Sequence, residues 1–112
     1  MEDELVIVMI TVPNKDIGKQ IAYTLVSKKL AACVNMVGPI ASIYSWNEAI
    51  NEDSEYLLLC KTRLALVEND LVAEIQLIHP YDLPEIIALP IRAGSKEYLD
   101  WVKLSTLDKD YQ

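Results

Sequence analysis

The chain has one histidine, His79, and it opens the segment His79-Pro80-Tyr81-Asp82-Leu83-Pro84-Glu85-Ile86, which crowds an imidazole, a phenol, carboxylates and prolines together. An imidazole can hold a metal ion or carry a proton near neutral pH. Tight Cu(II) or Zn(II) sites take three or four His, Cys or carboxylate ligands in fixed geometry, so His79 needs companions from elsewhere in the fold. The competing assignment is structural, a histidine at a helix C-terminus that bonds last-turn carbonyls or a neighbouring chain. Of the two cysteines, Cys33 and Cys60, Cys33 is the better candidate ligand for soft Cu(I), although a buried thiol needs no such role. Tyr81, Pro84 and Glu85 are too dense in special residues for a plain helix exit, and such loops often carry function on a rigid scaffold. The alternative is an ion pair or buried hydrogen-bond network that fixes an interface.

Catalytic signatures are missing: the sequence holds no Gly-rich phosphate loop, no GxSxG elbow, no HExxH and no dinucleotide fingerprint. An enzyme using His79 and Glu85 as acid and base therefore ranks last, and the chain is read as a non-enzyme. Tyr44, Trp46, Tyr56 and Trp101 suit a planar ligand, but aromatic residues on strands and amphipathic helices more often fill a core or an interface. The acidic stretch from Glu48 to Glu55 does not have the spacing of a calcium loop.

The elements that must position these groups follow from hydrophobic periodicity. Leu5 to Val12 is a nearly unbroken apolar run, the pattern of a strand covered on both faces. Pro13 ends it, and Asn14 caps a helix from about Lys15 on which Ile17, Ile21 and Leu25 share a stripe, with Gly18 marking close packing against the sheet. Ala32 to Trp46 reads as a long second strand bent at Gly38-Pro39, and Glu55 to Thr62 as a third, with a polar tip over Asn47 to Ser54. A second helix capped near Thr62 carries Leu64, Val67, Leu71, Ile75 and Ile78, and Pro80 stops it. Glu85 to Ile91 is a short fourth strand. Gly94-Ser95 opens a third helix with Tyr98, Leu99 and Val102 inward.

This order is βαββαβ plus a C-terminal helix, so the expected fold class is α+β, a ferredoxin-like sandwich with a long β2–β3 hairpin. Its two main helices share one face of the sheet. Strand one, Leu57 to Leu59 and Ile86 to Leu89 are apolar at successive positions, so the helix-free face is apolar as well and needs a cover, for which self-association is the economical answer.

The 112 residues fit a single domain, 1–112, with a core over about 5–104 and a short tail; folding such a chain buries roughly two-thirds of its unfolded surface. A net charge of −7 makes nucleic acid an unsuitable partner. No apolar run reaches the ~20 residues of a membrane-spanning helix, and the acidic start Met1 to Glu4 is unlike a signal peptide. Together with cysteines outside any CxxC pair, these features predict a cytoplasmic protein with reduced thiols and no membrane association.

Several segments read in order resemble the CutA divalent-cation tolerance family. They are Thr11-Val12-Pro13, Leu30-Ala31-Ala32-Cys33-Val34-Asn35, Ser42-Ile43-Tyr44-Ser45-Trp46, Glu55-Tyr56-Leu57-Leu58-Leu59-Cys60-Lys61-Thr62, the His79 to Ile86 segment and Tyr98-Leu99-Asp100-Trp101. The resemblance spans about residues 5 to 101. It implies a compact homotrimer resembling PII signalling proteins, cytoplasmic location, and an association with tolerance of copper and other divalent cations, with no tightly bound cofactor. Lys61, Glu55, Tyr81, Pro84, Glu85 and Trp46 are the candidates to line an inter-subunit cleft resembling the PII ligand site, and His79 and Cys33 remain the candidate metal ligands, for copper or another divalent cation. A competing reading is a signalling scaffold that docks an unknown partner protein. One departure stands out: the family usually has Gly at the position of Glu48, so Asn47 or Asn51 is expected to take any left-handed position at the hairpin tip.

Overall fold

The computed structural model describes residues 4–107. The acidic start at residues 1–3 and the end of the tail from residue 108 onward lie outside the described residues. The elements are β1 (Leu5–Val12), α1 (Lys15–Ser27), β2 (Cys33–Trp46), β3 (Ala49–Arg63), α2 (Val72–Ile78), β4 (Ile86–Pro90) and α3 (Lys96–Ser105), with a 3-10 turn at Leu64–Leu66 and a π turn at Val67–Leu71 before α2. The four strands form one antiparallel sheet in the order β2-β3-β1-β4. That is the expected ferredoxin-like α+β arrangement with an added third helix.

Alternation along the strands decides which side chains meet the helices. Val6, Val8, Ile10 and Val12 of β1 and Leu58 and Cys60 of β3 are buried with Ile21 and Leu25 of α1 and Leu71 and Ile75 of the second helical segment. Each fully buried aliphatic side chain of this kind contributes about 1.5–3 kcal/mol. Asn14 caps α1 as its position suggests, its Oδ1 accepting from the Ile17 N–H at 2.8 Å. Gly18 lets α1 approach the sheet closely, because a Cβ there would lie 2.8 Å from the Met36 sulfur and 3.2 Å from a Val12 methyl.

The opposite face of the sheet carries the alternate set: Ile7 and Met9, Leu57 and Leu59, Val37, and Ile87 and Leu89. Helix α3 covers one end, where Val102 packs on Leu5 and Ala32, and the Arg63 guanidinium donates to Thr106 Oγ1 at 3.2 Å and to its carbonyl. Beyond that end the face stays open, with Val37, Ile87 and Leu89 each close to half exposed. The expected bare apolar surface is therefore present in the single chain.

Four local expectations are corrected. The polar stretch Ala49 to Ser54 is strand rather than tip, and the turn is only Asn47-Glu48, with φ of 53° and 62°. The paired arms there run past the sheet with solvent on both sides, so polar side chains are compatible with extended pairing. Glu48, not Asn51, joins Asn47 in the left-handed region; the Asn51 amide instead donates to the Trp46 and Ala49 carbonyls. Thr62 is no helix cap, because β3 continues through Arg63 and places Thr62 opposite Val6 inside the ladder. Lacking a side-chain cap, the segment after β3 winds through 3-10 and π turns before regular α-helix begins at Val72. On α3, Leu99 and Val102 pack inward, while Tyr98 is exposed.

The projecting hairpin stretches the molecule to 46 × 28 × 22 Å, with a radius of gyration of 14.6 Å. A compact chain of this length has about 13 Å. β2 carries a register shift between Val37 and Ile40, at the cis Gly38-Pro39 step. Val37 opposes Leu57 and Ile40 opposes Glu55, so β2 holds one extra residue. Beyond it the even-numbered residues of β2, rather than the odd ones, continue the open face.

Candidate functional site

His79 is placed by the end of α2 and by the end of β4. Pro80 disfavours helical backbone at the residue before it, and His79 is extended, with φ −68° and ψ 132°. Odd-numbered residues of β1 turn their carbonyls toward β4, as the 2.9 Å bond from the Ile91 N–H to the Leu5 oxygen shows. The β1–β4 ladder stops at the Ile10–Ile86 pair, so the Thr11 carbonyl extends past the strand that would have satisfied it. His79 fills the gap, its Nε2–H donating to that oxygen at 2.7 Å. Its Nδ1 accepts the Tyr81 N–H at 3.2 Å, which fixes the Nε2–H tautomer and engages both ring nitrogens.

The Tyr81 ring lies 4.7 Å from that of His79, and its hydroxyl donates to Glu55 Oε2 at 2.8 Å. Burial, followed by the Glu55 carboxylate that accepts its proton, raises the Tyr81 pKa above the ordinary phenol value. Glu55 is only 6% exposed. Across the same face Ser42, Tyr44 and Trp46 project from β2, and Tyr44 donates to Asp53, a bond that raises the Tyr44 pKa. The hairpin and the 81–85 loop thus border an open cleft of ≈ 620 Å³. Among the described residues, its lining includes four carboxylates, on Asp53, Glu55, Asp82 and Glu85, together with Tyr44, Trp46 and Tyr81, and no Lys, Arg or His. Leu83, Ile43, Ser42 and Thr11 complete it.

Of the residues singled out from sequence, Glu55, Tyr81, Glu85 and Trp46 surround this cleft. Lys61 and Pro84 are not among the residues that line this cleft in the single chain. Lys61 lies six residues further along β3, where its ammonium donates to Asn35 Oδ1. Cys33 pairs opposite Lys61 on β2, whereas His79 bonds the Thr11 carbonyl opposite Leu57. One chain therefore does not bring His79 and Cys33 together, because four β3 residues at about 3.3 Å each separate their levels. Among the described residues, no three His, Cys, Asp or Glu side chains converge to hold a metal ion. Cys33 has Asn35 Oδ1 3.9 Å from its sulfur, and both thiols are free. Sequence reading missed Thr11, Ser42, Asp53, Asp82 and Leu83. Period-2 alternation of Ser42, Tyr44 and Trp46 was the available signal, obscured by the extra residue in β2.

This arrangement of strand, histidine loop and hairpin has counterparts among known proteins. Residues 6–105 match the family model described as CutA1 divalent ion tolerance protein. The chain belongs to this family. It is 50% identical over 101 residues to the chloroplastic protein CutA of Arabidopsis thaliana, covering 90% of this chain and 55% of that one. The chain thus spans little more than half the length of that relative. It is 46% identical over 100 residues to the divalent-cation tolerance protein CutA of Thermus thermophilus, covering 89% of this chain and 96% of the other. The crystal structure of CutA1 from Oryza sativa superposes with a TM-score of 0.89 at 46% identity, covering 94% of this chain and 95% of the rice chain. Membership in the CutA1 family accounts for the ordered motifs from Thr11 to Trp101 and for the position of the third helix.

Proposed function

We propose that this CutA1-family chain works as a cytoplasmic homotrimer in tolerance of divalent metal ions, copper foremost, binding ions weakly or sensing a small ligand at clefts where chains meet. The single observation that carries the assembly is the sheet face of Ile7, Met9, Leu57, Leu59, Ile87 and Leu89, which α3 covers only at one end. Sister chains laid on that face would remove a contiguous apolar surface from water, the dominant drive for association. The cleft is lined by Thr11 and Glu55, which lie on the same side of the sheet as this face, so a sister chain laid there would border it. Cu(I) or Cu(II) would engage Cys33 or His79 one at a time or through ligands from a second chain, and His79 must release one of its two hydrogen bonds to do so.

Size-exclusion with light scattering tests the assembly: the expected mass is three times the 12.7 kDa chain, and a stable single-chain mass at micromolar concentration overturns it. Calorimetric titration with Cu(II) and Cu(I), compared with His79→Ala and Cys33→Ala, tests the metal reading; flat isotherms for the unaltered protein remove it. A second reading is a scaffold trimer that docks a partner protein. It is favoured by Ile50, which stands 82% exposed near the hairpin tip and off the cleft lining. Recovery of one stoichiometric partner in metal-free buffer, lost in Ile50→Ser, supports that reading.

A further inference from the structure

We draw no further inference here: the strongest candidate, the side-chain cluster of Cys33, Asn35 and Lys61 on the open sheet face beside Tyr98 of α3, belongs to the metal reading already given for Cys33 and holds no second feature that points to a ligand, since Thr62 Oγ1, the one buried polar side-chain atom without a partner among the described residues, lies on the opposite face of the sheet.

Discussion

The Nε2 of His79 lies 2.7 Å from the carbonyl oxygen of Thr11, 68 positions earlier in the chain, and replaces the strand partner that β4 ends too soon to provide. The chain's one imidazole thus closes a gap in a β-ladder. His79→Ala should lower the unfolding free energy by about 1–3 kcal/mol, the cost of leaving a buried carbonyl unpaired. Urea denaturation in chelator-treated buffer checks this, and a loss of stability that shows only with copper present would contradict it.

Tyr81 and Glu55 form the next link. Tyr81→Phe removes the hydroxyl donor from a buried carboxylate and should cost about 1–3 kcal/mol. A double-mutant cycle with Glu55→Gln should return a coupling energy in the same direction, and a coupling near zero would show that the 2.8 Å contact contributes nothing to stability.

Thr62 is fully buried, and its Oγ1 has no hydrogen-bond partner among the described residues. Thr62→Val keeps the shape and removes the stranded hydroxyl, so the variant should be more stable by on the order of 1 kcal/mol. A denaturation midpoint below that of the unaltered protein would count against it.

Glu48 holds a φ of 62° in the two-residue turn, a conformation that costs a side-chain-bearing residue about 1–2 kcal/mol. Glu48→Gly removes that penalty at some gain in unfolded-state freedom, and Asn-Gly is the favoured pair for a turn with two left-handed residues. The thermal midpoint should rise modestly, with the fold unchanged by circular dichroism.

Burial pushes the Cys60 thiol up to about 12 from an ordinary value of 9.0. The fold therefore holds a proton that the unfolded chain releases above about pH 9, so stability is full below that pH and falls as pH rises toward 12. Tyr81 acts in the same sense above its ordinary value of 10.0. The slope for one such group reaches about 1.4 kcal/mol per pH unit. Cys60→Ala should flatten the first part of this decline, read by urea midpoints from pH 8 through about 10.5.

The core was legible because Val6, Val8, Ile10, Val12, Ile21, Leu25 and Ile75 follow periods of 2 and 3.6 that only a strand or a helix satisfies. The bare sheet face was legible for the same reason, since Ile7, Leu57 and Leu59 fill the positions between core residues. What period could not reveal was strand length in the hairpin, where residues from Asn51 to Ser54 have no core to face. The pairing of His79 with a backbone carbonyl of β1 depends on where β4 stops, a long-range fact with no local signature.

The surplus residue of β2 at Val37 to Ile40 has a final consequence. It acts as a phase setter for everything distal to it: excise one residue there and Tyr44 and Trp46 rotate to the outer side of the ribbon, while Ser45 swings inward. The chemistry of the cleft is thus encoded partly by a count rather than by identities, and a single-codon deletion, far from any lining residue in character, would rewrite its wall.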